Sequence, residues 1–311
     1  MSENNYVKDF IVILDLEWNS GFCRTLKRNF NEIIEIGAVK LDSNLETVDT
    51  FSEIVMQKFN MKFNPWVQEL THISQWELNS AKENFKTVYK KFGAFLGDAV
   101  LMTWGSTDLS VLSENCRVHF GTAKPLFVKK YCNLQTYCAK ALNMYDASKQ
   151  MGLSAACEHM GIEIPEIPLH RAVNDAEVSA MCLKAVYNRD VLDSQTAVTD
   201  DEFFRRMSFK PKYLRDLDNP LVDKSLIEMD CPVCGKKMTR TSDLKFHNRG
   251  FRADFSCDSC GEKGTAMFVY KLCFDGVKFK KKFLKPAPVN EEEPQTERKM
   301  KLAATKLYQE S

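Results

Sequence analysis

The chain has 311 residues, 44% hydrophobic and 27% charged, with a net charge of +1 and eleven cysteines. That composition is enough for the cores of more than one globular domain and excludes a disordered or collagen-like chain. No apolar run approaches the ~20 residues that span a bilayer, so no membrane partner is expected.

The opening segment, MSENNYVKDF, carries acids where a secretory leader would be basic, and the expected setting is cytoplasmic. There the cysteines serve as thiols and metal ligands rather than disulfides. Charge is unevenly spread: residues 1–229 carry a net −5, residues 230–285 a net +7 and residues 286–311 a net −1. An acidic front and a basic back suggest that metal chemistry and polyanion binding are divided between them, although lysines also solvate any small domain.

Residues 10–17, FIVILDLE, form a short, largely β-branched apolar run that ends in two carboxylates, the pattern of a buried strand. Strand side chains alternate faces, so Asp15 and Glu17 point the same way. Like charges that close repel, more so near a core, and a divalent cation between them is the economical remedy. The alternative is a strand already at solvent, with two ordinary surface acids.

A polar connection follows over 18–31. Residues 32–40 (EIIEIGAVK) and 46–56 (ETVDTFSEIVM) are strand-like and flank the turn-forming DSN, so a hairpin beside the first strand is predicted. Residues 65–73 read as helical, and 84–96 as an amphipathic helix with apolar positions at Phe85, Val88, Tyr89, Phe92, Phe95 and Leu96. AVLMTW (99–104) is a short buried strand, and GSTD after it starts a helix and places Asp108 at the junction. A strand at 127–134, a helix at 135–142, a helix at 152–162 closed by Gly161, and a long helical segment at 170–187 complete the region. A meander followed by alternating helices and strands implies a mixed sheet with helices on its faces.

Asp15, Glu17 and Asp108 lie at the ends of predicted strands, and His170 and Asp175 form an H-x4-D pair across just over one helical turn. Hard oxygen ligands favour Mg²⁺ or Mn²⁺. Two such ions ~4 Å apart can stabilise the attacking and leaving oxygens of a phosphoryl displacement, and an imidazole suits deprotonation of the attacking water. Each residue has an ordinary reading too: His170 a cap or surface group, Asp175 an exposed helix residue, Asp108 a helix cap.

The joint order, D-x-E … D … H-x4-D, resembles the DEDDh superfamily of 3′–5′ exonucleases over roughly residues 9–188. Within it the chain most resembles the exoribonucleases that trim histone messenger, ribosomal and small RNAs. NEIIEIGAVKLD, TWGSTDLSVL, and GLSAACEHMGI before LHRAVNDAEVSA carry the likeness further. The resemblance implies an α/β, ribonuclease-H-like fold: a mixed five-stranded sheet flanked by helices. It implies two Mg²⁺ (or Mn²⁺) ions, with Asp15 contacting both, Glu17 and Asp175 completing the tighter site, Asp108 holding the second through water, and His170 as general base. Nucleoside 5′-monophosphates would leave from a 3′ end. It also sets Leu16, Trp18, Asn19, Leu70 and His72 against the terminal nucleotide. Where the family has Thr or Ala types after D-x-E, this chain has Trp18-Asn19; its usual L-T-G-I turn is here Leu70-Thr71-His72-Ile73. Core packing is the other reading for Trp18, and the preferred one for Trp104.

The exonuclease-like domain is expected over 1–193, with a linker or connecting helix at 194–228. Within that linker, FFRRMSFKPKYLRDL (203–217) is either an arm that touches nucleic acid or a helix docked by its apolar side. Two C-x-x-C-G turns, Cys231/Cys234 and Cys257/Cys260, supply the four thiolates of one structural Zn²⁺, so residues 229–285 are expected to form a β-rich zinc ribbon. Redox chemistry is the competing reading, and Cys273 and His247 are substitute ligands. The remaining cysteines read as small buried residues. Lys and Phe interleave between the knuckles and in VKFKKKFL (277–284), either as a basic stripe with aromatic platforms for single strands or as core and solvent coat. Residues 286–311 are expected to be a flexible tail. The reading is a metal-dependent 3′–5′ exonuclease acting on single-stranded nucleic acid, RNA 3′ ends by preference, with the ribbon assisting. The alternatives are a DNA exonuclease, or a binding regulator that retains the fold.

Overall fold

The computed structural model describes residues 10–59, 62–144, 151–165 and 169–284; the expected tail lies outside them. The chain divides into two compact units, Met1–Ser208 and Phe209–Ser311. No helix among the described residues is long and apolar enough to cross a membrane.

The first unit begins with a meander, β1 (Ile11–Cys23), β2 (Arg28–Leu41) and β3 (Thr47–Ile54), followed by α1 (Pro65–Thr71), α2 (Gln75–Ser80) and α3 (Phe85–Leu96). Next come β4 (Val100–Thr103), α4 (Thr107–Phe120), β5 (Lys130–Asn133), α5 (Leu134–Ala141), α6 (Leu153–Met160), α7 (Ala172–Ala185) and α8 (Arg189–Gln195). Then β6 (Ala197–Val198) and α9 (Asp201–Ser208) close the unit. The sheet order is β3-β2-β1-β4-β5-β6. β4 runs parallel to β1 and β5, and the other neighbours are antiparallel.

Two features depart from the sequence reading. The sheet has six strands rather than five, because β6 adds a two-residue edge pairing to β5, too short to show any alternation. The polar stretch 18–31 is a continuation of the hairpin: Trp18↔Ile33 through Cys23↔Arg28 stay paired after a register shift between Glu17 and Trp18. Polar side chains are tolerated there because the ladder is held by backbone bonds.

The alternation of β1 builds two cores. Val12, Leu14 and Leu16 pack with Val88 and Phe92 of α3 and Leu109 and Leu112 of α4. Ile11 and Ile13 pack on the opposite face with Tyr137 of α5, Cys157 of α6, and Ala176 and Leu183 of α7. Each fully buried side chain of this size contributes about 1.5–3 kcal/mol. α3 starts at Asn84, whose side chain accepts from the Thr87 N–H, and buries Phe85, Val88, Phe92 and Leu96 along one stripe.

α7 approaches the sheet unusually closely. Ala172, Ala176 and Ala180 are buried at four-residue spacing, and opposite them Gly37 of β2 has no side chain. A Cβ on Gly37 would lie 2.1 Å from the Val173 nitrogen and 2.2 Å from the Ala172 carbonyl carbon.

The second unit is a sheet with the path β12-β11-β10-β8, with β7 added to β11 and β9 to β10. Its strands are β7 (Lys212–Tyr213), β8 (Thr239–Arg240), β9 (Lys245–His247), β10 (Gly250–Ser256), β11 (Lys263–Cys273) and β12 (Gly276–Leu284). Phe251, Phe255, Phe268 and Tyr270 form its core, and Phe246, Phe279 and Phe283 pack against it. The interleaved phenylalanines are therefore core, not platforms. The stretch 194–228 is divided between the units. Phe203 and Phe204 of α9 pack in the first, whereas Leu214 and Val222 belong to the core of the second, where the Tyr270 hydroxyl donates to the Asp223 carbonyl (2.6 Å).

Gly37→Ala should overpack this contact by about 1–3 kcal/mol and lower the first unit's thermal midpoint at roughly 2–4 °C per kcal/mol. Gly152→Ala, whose Cβ would meet nothing within 4 Å, should shift it far less in the same calorimetric scan.

Candidate active site

Asp15 and Glu17 continue the odd-numbered face of β1, on which α7 packs. Their partners across the ladder are Gly37 and Glu35, so three carboxylates and one glycine face the start of α7. β4 runs parallel to β1, and the helix that follows it brings in Asp108 in its first turn. The Leu16 N–H donates to Asp108 Oδ1 (3.2 Å). Asp108 thus reaches across the sheet instead of capping its helix. Asp15 and Glu17, expected at the end of their strand, lie in its middle, because the hairpin carries β1 on to Cys23; the site sits past the carboxyl end of the parallel β4, where α/β sheets commonly bind ligands.

His170 precedes α7 with φ 62°, in the left-handed region. Its N–H donates to both Asp175 oxygens (3.2 and 3.3 Å), and its Nδ1 lies 3.8 Å from Asp175 Oδ2. The ring is exposed, whereas the Asp175 side chain is 14% exposed. Ligand atoms of Glu17, His170 and Asp175 lie within 4.8 Å of one another. Asp15 and Asp108 do not join that group but are coupled to it by charge.

Burial, followed by the charges of Asp108, Glu17, Asp175 and Glu35, pushes the Asp15 carboxyl well above its ordinary value. Glu17 is pushed up to about 8 by burial, then by Asp175, Glu35 and Asp108, with Arg171 opposing. Asp108 is raised to about 7, chiefly by burial, against hydrogen bonds from its own N–H and that of Leu16. Asp175 is raised as well, burial again the main cause. Four hard-oxygen donors, each driven toward its neutral form by desolvation and mutual repulsion, fit divalent cations.

A fifth carboxylate is already neutralised. Glu35 is fully buried and held by Arg171 through Nε (3.1 and 3.3 Å) and Nη2 (2.9 Å), and it accepts from the Ala172 N–H (3.0 Å). Arg171 Nη1 also reaches Glu77 (3.3 Å), which closes the capping box of α2 with Ser74. Arg171 sits beside His170, so this bidentate clamp holds the segment that carries the base candidate. Sequence reasoning missed Glu35, Arg171 and Glu77; the available signal was an acid within the apolar run EIIEIGAV, which needs a buried partner.

A family model described as exonuclease (RNase_T) matches residues 12–183. The chain belongs to the RNase_T exonuclease family. The nuclease domain of 3'hExo, described as a DEDDh family member bound to rAMP, is 25% identical, with 63% of this chain and 98% of that one covered and a TM-score of 0.50. A structure of a 3'-exonuclease described as recognising the histone mRNA stem-loop is 23% identical, covers 64% of this chain and 74% of its own, and has a TM-score of 0.50; it shares the fold. No curated protein matches. The first unit is thus a DEDDh-type exonuclease domain with a ribonuclease-H-like sheet.

The residues expected against the terminal nucleotide differ in exposure. Leu16 is 2% exposed and turned into the core by its even position on β1. Trp18 packs partly buried against the same core. Asn19 is fully buried; its side chain donates to the Lys62 carbonyl and accepts from the Asn64 N–H, both at 3.1 Å, which fixes the entry to α1. Leu70 and His72 are exposed at the end of α1. His72 has φ 57° and caps that helix, its N–H on the Gln68 carbonyl, in the conformation a glycine adopts most easily. Trp66 and Trp76, 69% and 75% exposed, lie on α1 and α2 and were not singled out from sequence, because their helices are too short to show a face.

In the exonuclease's second unit, the sulfurs of Cys231, Cys234, Cys257 and Cys260 lie within 4.8 Å of one another. The two turns match. Gly235 (φ 74°) and Gly261 (φ 77°) donate to the Cys231 and Cys257 carbonyls (both 2.9 Å), and the Lys236 and Glu262 carbonyls accept from the Cys231 and Cys257 N–H groups (both 2.8 Å). The N–H groups of Cys260 and Ser259 hold the Cys257 thiol down to about 7. Four thiols in paired knuckles could hold one zinc ion. Cys23, Cys116, Cys132, Cys138, Cys157 and Cys182 are buried and unbridged.

Arg171→Met leaves Glu35 buried without its cation and should destabilise the first unit by about 3–5 kcal/mol, with Arg171→Met/Glu35→Leu recovering much of the loss in urea titrations. Glu17 and Asp108 have folded-state values above their ordinary 4.5 and 3.8, so the folded protein holds extra protons at mildly acidic pH. Their contribution to stability is complete below about pH 4 and is lost as pH rises through 7 to 8. In magnesium-free buffer with zinc retained, the thermal midpoint should fall between pH 5.5 and 8.5. Added Mg²⁺ should raise it more at pH 8.5.

Proposed function

We propose that this protein is a divalent-metal-dependent 3′–5′ exonuclease that releases nucleoside 5′-monophosphates from single-stranded nucleic acid, RNA in preference to DNA. The observation that carries the reading is the meeting of Glu17, His170 and Asp175 within 4.8 Å, beside Asp15 in mid-β1 and Asp108 in the first turn of α4. Asp15, Glu17, Asp108 and Asp175 are assigned to two Mg²⁺ or Mn²⁺ ions, which when bound supply Lewis-acid stabilisation of the phosphoryl oxygens. His170 is assigned as the general base. Its exposed imidazole takes the proton of the attacking water, with its Nδ1 3.8 Å from Asp175 Oδ2. The backbone bonds from His170 to Asp175 keep base and acid in one frame. The RNA preference is supported by the neighbours described with rAMP and with a histone mRNA stem-loop. A cytoplasmic setting accords with buried, unbridged cysteines.

With Mg²⁺ or Mn²⁺, purified protein should shorten a 5′-labelled RNA oligomer stepwise from its 3′ end and yield 5′-mononucleotides. Asp15→Asn should abolish the ladder, and His170→Ala should lower kcat by roughly 10²- to 10⁴-fold. A ladder unchanged in Asp15→Asn defeats the reading; matched RNA and DNA oligomers degraded at equal rates remove the RNA preference alone.

A further inference from the structure

The second unit's sheet has one face packed with aromatics and one left open, and the strand register decides which residues go where. On β12 the core side takes Phe279 and Phe283, so the alternation turns Lys278, Lys280 and Lys282 to the open face, all three exposed. Their partners continue the pattern across the sheet. Lys282 faces Met267, which faces Arg252, which faces Lys245. Lys280 faces Val269 in the next row, and His247 lies at the β9 end of that row, opposite Gly250. Lys278 faces Lys271, which faces Tyr213. Arg249 and Lys271 both lie over the Tyr213 ring, 5.9 and 5.7 Å from its centre. Three rows of cations thus run from β12 toward the opposite edge, with Met267, Val269 and Tyr213 between them.

Among the described residues, little answers this charge. Lys281, at the one β12 position of opposite parity that carries a lysine, has partners: the Glu228 carbonyl (3.2 Å) and Asp230 (3.3 Å). Among the described residues, no ion pair is made by Lys245, Arg249, Arg252, Lys271, Lys278, Lys280 or Lys282. At the β8–β10 end the face opens into a groove of about 790 Å³ bordered by Arg240, Lys245, His247 and Arg252, with Asp243 and Asp254. Asp254 is engaged by the Thr265 hydroxyl (2.8 Å). The Arg252 Nε is shielded from water and has no hydrogen-bond partner among the described residues, an expensive state for a guanidinium donor that an acceptor in the groove would relieve.

We propose that this open face is a docking surface for the phosphodiester backbone of single-stranded nucleic acid, with the groove at Arg240, Lys245, His247 and Arg252 seating phosphate. Charge complementarity selects a polyanion, and cations interleaved with a half-buried ring and apolar side chains suit a flexible strand with unpaired bases. The choice of nucleic acid over an acidic protein rests on the proposed degradation of a strand by the first unit.

The test uses the full-length chain carrying Asp15→Asn, so that the strand survives, and a fluorescent 30-nucleotide single strand titrated at several salt concentrations. The triple variant Lys245→Glu/Lys280→Glu/Lys282→Glu should bind at least tenfold more weakly, with the slope of log K against log salt reduced by about 0.7 for each phosphate no longer neutralised. Lys224→Glu, which alters an exposed lysine paired with Asp218, should bind like the parent; zinc content and thermal melts confirm that both variants are folded. With Asp15 restored, the triple variant should cleave a four-nucleotide substrate at the parent rate. Unchanged affinity and slope, or an equal loss in Lys224→Glu, overturns the docking surface while the nuclease reading stands. Loss of binding in the triple variant alone upholds the surface even where the parent chain hydrolyses nothing.

Discussion

Five carboxylates in one corner of a sheet repel one another, and the first unit is arranged around that repulsion. One of the five, Glu35, is cancelled internally by the bidentate bonds of Arg171. The other four have no arginine partner among the described residues, and all are displaced toward their neutral forms. The distinction matters because a buried carboxylate paired to arginine is structural, whereas an uncompensated set of oxygens is a binding site for cations. Arg171 is thus bound to the acid that faces Ala172, and Asp15, Glu17, Asp108 and Asp175 keep oxygens suited to cations.

Position follows from a few backbone facts. Period-two alternation sets Asp15 and Glu17 on one face; the parallel pairing of β1 with β4 brings the start of α4, and with it Asp108, to the same end. The missing side chain at Gly37 lets α7 descend far enough for Asp175 and His170 to reach Glu17. The buried Glu35–Arg171 pair is a poor source of net stability compared with apolar packing. Its geometric role is clearer: it ties β2, the residue beside His170 and, through Glu77, the start of α2.

The second unit solves a different problem. A small sheet must bury its own aromatics to fold at all, so the phenylalanines of β9 to β12 turn inward, and the lysines between them are left on the other side. The paired knuckles each close a backbone turn on the first cysteine with a left-handed glycine, and the pairing of β8 with β10 (Ser256↔Thr239) sets the two turns side by side. What remains on the open face, among the described residues, is an excess of positive charge that Asp243 and Asp254 offset only in part.

By itself the sequence was sufficient for the strand–helix alternation, the shared face of Asp15 and Glu17, and the two cysteine knuckles, because each is a local pattern of period, spacing or turn chemistry; the distant acids and histidine became a set only through the resemblance their order carries. Departures from it, such as β6 and the extension of the hairpin through 18–31, occur where two residues or a polar run carry no period. Tertiary structure alone decided that Leu16 and Asn19 are interior, that 194–228 is shared between the two units, that Arg171 answers Glu35, and which side of each lysine–phenylalanine strand meets solvent. Those are matters of register and long-range pairing: residues 136 positions apart, like Arg171 and Glu35, become neighbours only when the sheet and the helix above it have formed.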